Sequence, residues 1–190
     1  AAVSLVVGTV LVSAPASGSV SPRATASDPV VSTVVSRTGL DWTATDATSG
    51  SSVLTYGNIG CPGVDADGFC EGGEWPTIPA AQWIWRTQNV TDAEASGGTP
   101  WVTFVDTFSV THAAASGKVA VVADDEYSLS VNGSELGTGT LADGVQTFVF
   151  TPLVGENTVS VTARSLAGPA DPFSSPAGVS YKVTLSWQPP

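Results

Sequence analysis

The sequence predicts an all-β protein, a jelly-roll-like antiparallel β-sandwich with an N-terminal β-strand arm. Two observations support this fold class. Helix signals are nearly absent, whereas apolar and polar residues often alternate with the period of two that is typical of strands. Turn-forming residues also recur about every 8–12 positions, which is the spacing of sandwiches and barrels. The 190 residues are 42% hydrophobic and only 12% charged, a composition that excludes a disordered chain.

The closing segment is the clearest predicted strand, because Tyr181, Val183, Leu185 and Trp187 alternate with polar residues. Similar patterns predict strands at residues 30–35, 102–110, 127–131 and 159–163, and another that ends at Phe150. Within residues 102–110, Asp106 is the one charged residue on the apolar face. Residues 119–123 are apolar on both faces, which predicts a central strand.

Turn signals divide the chain into a short arm and one domain. Asn132-Gly133 is the strongest hairpin signal, and Gly155-Glu156-Asn157 predicts a turn before the strand at residues 158–163. Residues 163–177 are rich in Gly, Pro and Ser and predict a loop, and residues 13–28 predict a linker. We therefore assign residues 1–28 to an apolar strand with its linker, and residues 29–190 to the sandwich.

The first twelve residues form a β-branched apolar run, with apolar side chains on both faces of the predicted strand. Since the chain contains no Met, we expect Ala1 to follow a processed start. Such a run fits the apolar part of a secretory signal, a strand that folds back onto its own chain, or a strand donated to a neighbour. The residues assigned to assembly are Val3, Leu5, Val6, Val7, Val10, Leu11 and Val12.

Charge and cysteine content point outside the cell. The chain has 17 acidic and 6 basic residues, and its net charge of −11 excludes a nucleic-acid partner, which needs clustered Lys and Arg. No apolar stretch of about 20 residues predicts a transmembrane helix. Cys61 and Cys70 enclose the loop CPGVDADGFC, which predicts one local disulfide of a secreted or cell-surface protein.

A series of segments carries a family resemblance. In chain order they are AQWIW at 81–85, DTF at 106–108, VAVVADD at 119–125, YSLSVNG at 127–133, GENTV at 155–159 and AGVSYKV at 177–183. The series resembles the galactose-binding-domain-like jelly-roll module of secreted bacterial proteins over about residues 78–187. That resemblance implies a jelly roll, and such modules include sugar binders, calcium-stabilised scaffolds and spacers. The N-terminal arm resembles the donor strands of extracellular filament subunits.

No catalytic residue is predicted. A glycosidase needs two carboxylates across a cleft, and no acidic pair lies in a recognisable motif. A serine hydrolase would need His112, the single histidine, and no GxSxG motif occurs in the chain. We therefore predict that the protein is not an enzyme.

Two acidic clusters are candidate calcium sites, since hard cations prefer oxygen ligands. The first contains Asp65, Asp67 and Glu71, and the second contains Asp124 and Asp125. A solvated acidic turn explains each cluster with fewer assumptions and is favoured in both cases. The prediction is therefore no cofactor, with structural calcium as the alternative.

Six tryptophans make sugar stacking a further candidate activity. Trp83 and Trp85 are two residues apart, which would place them on one face of a strand, and we assign these two and Trp187 to packing. Trp42 and Trp75 lie in segments rich in Gly, Ser and Thr, so they are the candidates for an exposed sugar platform.

The functional prediction rests on the N-terminal arm, residues 1–28. We predict a non-enzymatic extracellular structural protein, the subunit of a self-assembling filament such as a pilus-like fibre, joined to other copies of itself by strand exchange. The alternative is a carbohydrate-binding module or an accessory domain of a secreted glycosidase.

Overall fold

The computed structural model describes residues 30–55, 63–64, 70–71, 75–111, 116–168 and 176–187, and within 63–64 and 70–71 only the backbone. Two six-stranded antiparallel sheets pack face to face, so the predicted all-β sandwich is confirmed. The residues predicted for assembly, from Val3 to Val12, and the predicted linker lie outside the described residues.

The first sheet contains β1 (Val30–Val35), β4 (Val53–Leu54), β7 (Ile84–Trp85), β9 (Ser116–Asp124), β12 (Gln146–Phe150) and β14 (Gly178–Trp187). Its order is β12-β9-β14-β7-β4, and β1 also pairs with β14. The strand predicted at residues 30–35 is therefore confirmed.

The second sheet contains β2 (Asp41–Ala44), β3 (Ser49–Ser51), β8 (Val102–Val110), β10 (Glu126–Val131), β11 (Ser134–Thr140) and β13 (Gly155–Arg164). Its order is β11-β10-β13-β8-β2-β3. A separate pair is formed by β5 (Gly63–Val64) and β6 (Cys70–Glu71). One short helix, α1 (Asp92–Gly97), and a 3-10 turn at Leu141–Asp143 complete the described elements.

The main core lies between the two sheets and follows the predicted alternation. In β14, Tyr181, Val183 and Leu185 are buried, and in β8, Val102, Phe104, Phe108 and Val110 are buried. Burial of such aliphatic and aromatic side chains contributes about 1.5–3 kcal/mol for each residue. The apolar residues that alternate along these strands in the sequence are therefore the residues that form the core.

A second apolar cluster covers the other face of β9. Trp75, Ile78 and Trp83 pack against Val122, while Val119 and Val121 of the same strand belong to the main core. This arrangement confirms the central strand predicted from residues 119–123, because both faces of β9 are covered. The tryptophans lie so close to β14 that a Cβ atom on Gly178 would be 2.7 Å from Trp75 Cζ3.

One predicted turn is confirmed and one is corrected. Asn132 and Gly133 have φ angles of 53° and 76° and join β10 to β11, as the Asn-Gly signal predicts. The turn predicted at Gly155-Glu156-Asn157 is wrong, because β13 already begins at Gly155. The buried Asn157 amide instead holds the preceding turn, since its Oδ1 accepts the Leu153 N–H at 2.8 Å and its Nδ2 donates to the Leu153 carbonyl at 2.8 Å.

An ion pair neutralises the charged residue of β8. Asp106 faces the interior and is only 6% exposed. Arg37, from the connection between β1 and β2, reaches it through two contacts, Nη1 to Oδ2 at 2.5 Å and Nη2 to Oδ1 at 3.1 Å. Burial and the nearby Asp106 carboxylate raise the pKa of Tyr181, so its phenol stays neutral beside the pair. Asp106 is therefore an interior acid with a dedicated partner.

Replacing Arg37 with Ala should lower the free energy of unfolding by about 2 kcal/mol, because the buried Asp106 carboxylate would lose its charged, half-exposed hydrogen-bond partner. Urea denaturation followed by fluorescence measures the change. Lys118→Ala is the control, since Lys118 is exposed on β9. Adding Asp106→Asn to Arg37→Ala should recover part of the lost free energy of unfolding. Equal stabilities of the Arg37 and Lys118 variants would contradict the assigned role.

Candidate functional site

A cleft with two lobes surrounds Arg86, the residue that directly follows β7. The polar lobe has a volume of about 380 Å³ and is lined by Trp42, Thr48, Thr91 and Glu94 together with Arg86 and Thr87. The apolar lobe has a volume of about 670 Å³ and is lined by Thr38, Ser52, Val53, Leu54 and Gln88 together with the same Arg86 and Thr87. Both volumes fall in the range of about 300–1,000 Å³ that small-molecule sites occupy.

The guanidinium of Arg86 is held between two carboxylates. Its Nη1 lies 3.1 Å from Asp46 Oδ2 and donates to Thr48 Oγ1 at 3.3 Å. Its Nη2 forms an ion pair with Glu94 Oε1. The Arg86 side chain is 12% exposed, so the surrounding groups hold the planar donor in one orientation.

The short helix α1 positions Glu94. Thr91 caps the helix, since its Oγ1 accepts the Glu94 N–H at 3.2 Å, and Glu94 Oε2 accepts the Thr91 N–H at 2.9 Å. These two bonds form a capping box, which fixes the glutamate against the helix start. One carboxylate oxygen of Glu94 therefore caps the helix start, and the other pairs with Arg86.

A turn between β2 and β3 positions Asp46. Its Oδ1 accepts the Thr48 hydroxyl at 2.5 Å and the Thr48 N–H at 3.0 Å. These hydrogen bonds, followed by those from Arg86, lower the pKa of Asp46. Asp46 therefore keeps its negative charge at mildly acidic pH.

The structure corrects the prediction that Trp42 is an exposed platform in a loop. Trp42 lies in β2, is 9% exposed and forms part of the main core as well as the wall of the polar lobe. The indole lies across Gly50 of β3, where a Cβ atom would be 3.1 Å from Trp42 Cζ2. Because Gly50 has no side chain, the ring packs against the sheet and does not project into solvent.

The prediction for Trp75 is also wrong, since this residue is 4% exposed. Its ring centroid is 4.2 Å from that of Trp83, and both rings pack over β14 in the second cluster. Trp83 and Trp85 are buried as predicted, yet they do not share a face, because Trp85 belongs to the main core. Trp187 is partly buried against that core, in agreement with a packing role.

The acids predicted as a second calcium site, Asp124 and Asp125, lie next to each other where β9 ends, and each has contacts within the protein. Asp125 Oδ2 accepts the Leu166 N–H at 2.7 Å, and Glu126 forms an ion pair with Arg164. Asp124, at the end of β9, is buried, and this burial together with the Asp125 carboxylate raises its pKa well above the ordinary value. Within the described ranges, no group of three or more His, Cys, Asp or Glu residues could hold a metal ion.

Other predicted residues fall where side chains are not described. Cys61, Asp65, Asp67 and His112 lie outside the described residues, and of Cys70 and Glu71 only the backbone of β6 is described. The disulfide and the first calcium loop therefore stay predictions. In the part of the chain that the structure describes, no helix has the length and apolar character to cross a membrane.

Of the residues in and beside the polar lobe, Trp42 was a sequence candidate, whereas Asp46, Arg86 and Glu94 were not predicted. Asp46 lies 40 positions before Arg86, and only the packing of β2 beside the segment after β7 brings them together. One local signal was available, since Thr91-Asp92-Ala93-Glu94 matches the capping-box pattern and indicates a helix start. That signal locates Glu94 but does not reveal its partner.

No protein-family model and no curated protein matches this chain. Among solved structures, the lectin from Pleurotus ostreatus in complex with GalNAc is similar, with 18% identity over 57% of this chain and a TM-score of 0.44. The apo form of that lectin shows 26% identity over 58% of this chain and a TM-score of 0.40. The FMN-binding beta-glucuronidase from Facaelibacterium prausnitzii L2-6 shows 11% identity over 82% of this chain and a TM-score of 0.47.

The matched regions make up 33%, 31% and 23% of those three chains, so this chain spans a third of their length or less.

Replacing Asp124 with Asn should remove a pH-dependent part of the stability. A folded-state pKa above the ordinary 3.8 means that the fold favours the protonated acid. The stabilisation by the protonated Asp124 is fully present below pH 3.8, the ordinary pKa, and it is lost as the pH rises through the folded-state pKa. Relative to Asp124→Asn, the original protein should therefore lose free energy of unfolding as the pH rises above about 4.

Urea denaturation of both proteins at several pH values measures this difference. Asp143→Asn is a control of opposite sign, because hydrogen bonds from Thr140 lower the pKa of the exposed Asp143. A constant difference between the original protein and Asp124→Asn across the pH range would contradict the expectation.

Proposed function

We propose that this protein is a non-enzymatic carbohydrate-binding β-sandwich and that the polar lobe around Arg86 holds one sugar residue. The observation that supports this most directly is the Asp46–Arg86–Glu94 arrangement, a planar donor between two acceptors. Adjacent hydroxyls of a sugar both donate and accept hydrogen bonds, so the guanidinium and its two carboxylates can bind a pair of such hydroxyls. The hydroxyls of Thr48, Thr87 and Thr91 line the same lobe. Their protons are donated within the protein, so toward a sugar their oxygens act as acceptors.

The charge of the lobe favours a neutral sugar. Glu94 lines the lobe and Asp46 pairs with Arg86 beside it, so two carboxylates stand against one guanidinium. The whole chain carries −11. An acidic sugar would meet repulsion from Asp46 and Glu94. A neutral hexose avoids this cost and can use the charges as strong hydrogen-bond partners.

The same carboxylates support binding and argue against glycoside hydrolysis. A glycosidase needs a general acid with a raised pKa, and the pKa of Asp46 is lowered. Glu94 is engaged by both Arg86 and the helix cap. Neither acid is therefore available to donate a proton to a leaving group. We extend the proposal to a role outside the cell, where the predicted disulfide would be stable.

Arg86→Lys should weaken sugar binding at least tenfold, because lysine keeps the charge but loses the planar pair of donors. A glycan array identifies the bound sugar, and titration calorimetry measures its dissociation constant. Arg164→Lys is the matched control, since Arg164 also pairs with a glutamate but does not line the cleft. Thermal unfolding confirms that both variants are folded. Absence of binding to every neutral glycan on the array, or equal affinity of the two variants, would contradict the proposal.

The filament role is a second candidate, and one edge of the first sheet favours it. Among the described residues, β1 pairs with β14 alone, and its Val30 and Val31 are exposed. An open edge with exposed apolar residues can accept a further strand through main-chain hydrogen bonds. The predicted donor residues, from Val3 to Val12, would supply that strand from a neighbouring copy.

Deleting residues 1–28 should abolish filaments if strand exchange builds them, and it should leave sugar binding unchanged. Electron microscopy of the full chain and the deletion variant tests assembly, and the glycan array tests binding. Dispersed monomers from both proteins would reject the filament role and leave the sugar-binding proposal intact.

A further inference from the structure

We propose that the apolar lobe binds an aliphatic substituent carried by the sugar in the polar lobe, so that the ligand is an alkyl or acyl glycoside. This inference rests on the proposed function, because the polar lobe must hold the sugar. It adds the chemical class of the group that is attached to that sugar.

The lining of the apolar lobe supports an aliphatic occupant. Val53 and Leu54 of β4 are 39% and 42% exposed, although residues of this kind are usually buried. Among the lining residues that the structure describes, Arg86 is the only charged one. The described residues of this lining include no aromatic ring on which a second sugar could stack, so an alkyl chain matches them better than an oligosaccharide.

The Ser52 hydroxyl of the same lobe is committed to the protein. Ser52 is buried, and its Oγ donates to the Arg37 carbonyl at 3.0 Å and accepts the Leu40 N–H at 3.0 Å. It therefore has little capacity left for a sugar hydroxyl. An apolar group entering this space displaces water without leaving Ser52 unpaired.

The wall of the apolar lobe is held in place before any ligand arrives. The Gly39 N–H donates to the Ser52 carbonyl at 2.9 Å, and the Ser52 N–H donates to the Leu40 carbonyl at 2.8 Å. On the other side, Val53 and Leu54 pair with Trp85 and Ile84 of β7. Binding to a preformed wall avoids the entropy cost of ordering it.

The two lobes meet at Arg86 and Thr87, which line both. A sugar that contacts the Arg86 guanidinium in the polar lobe therefore has its next substituent beside the entrance of the apolar lobe. The apolar lobe is the larger of the two, with about 670 Å³ against about 380 Å³, and it has room for a chain of several carbons. One ligand can occupy both lobes only if it combines a hydroxyl-rich head with an apolar tail.

Titration calorimetry with methyl, butyl and hexyl glycosides of galactose, glucose and N-acetylgalactosamine tests this inference below the micellar concentration. Affinity should rise about twofold to fourfold for each added methylene, the gain expected for partial to full burial of that group. Leu54→Ser should remove the dependence on chain length and leave the affinity for the methyl glycoside unchanged. Leu153→Ser is the matched control, because Leu153 is an exposed leucine outside the cleft.

The outcomes separate the two proposals. Equal affinities for methyl and hexyl glycosides, with both dependent on Arg86, would overturn the aliphatic substituent and preserve sugar binding. Hexyl glycosides that bind equally well to Arg86→Lys would reveal an independent apolar site and also overturn the inference. If no glycoside in the panel binds at any chain length and no neutral glycan on the array binds, the proposed function itself fails. If Leu54→Ser and Leu153→Ser changed the dependence of affinity on chain length equally, the alkyl chain would associate nonspecifically and the inference would be rejected.

Discussion

The ion pair between Arg37 and Asp106 is the interaction on which the rest of the structure depends. Asp106 stands on the inner face of β8 among apolar residues, where an unpaired carboxylate would cost several kcal/mol. Its partner lies in the connection that carries the chain from the first sheet to the second. Satisfying this one buried charge therefore fixes where the chain crosses the sandwich.

The crossing segment has a second anchor beside Arg37. The buried Ser36 donates its hydroxyl proton to the Gln82 carbonyl at 2.7 Å and its N–H to the Tyr181 carbonyl at 2.9 Å. This residue ties β14 to the segment that leads into β7 and Arg86. The residues that follow supply Thr38 to the apolar lobe and Trp42 to the polar lobe. Arg37 of the ion pair and one lining residue of each lobe thus belong to one short stretch of chain.

Sequence reasoning predicted the strands well and the site poorly, and the physical cause differs between them. Alternation in β8, β10 and β14 is a local pattern that burial between two sheets imposes on every strand. Trp42 and Trp75 were assigned to exposed platforms because their neighbours in sequence are small and polar. The residues that actually cover them are Gly50, Trp83 and Gly178, which come from other strands. Small neighbours indicate exposure only when no other segment packs into the space that they leave.

The sequence by itself determined the all-β class, the central position of β9, the Asn132-Gly133 hairpin and the presence of a charged residue on an apolar face. Each follows from the period of two or from the backbone angles of particular residues, which are properties of neighbours along the chain. Only the tertiary structure decided that Arg37 neutralises Asp106 and that Asp46, Arg86 and Glu94 form one cluster. Hydrogen bonds and ion pairs act over about 3 Å in space, and the sandwich brings together residues that lie 69 and 40 positions apart in the chain.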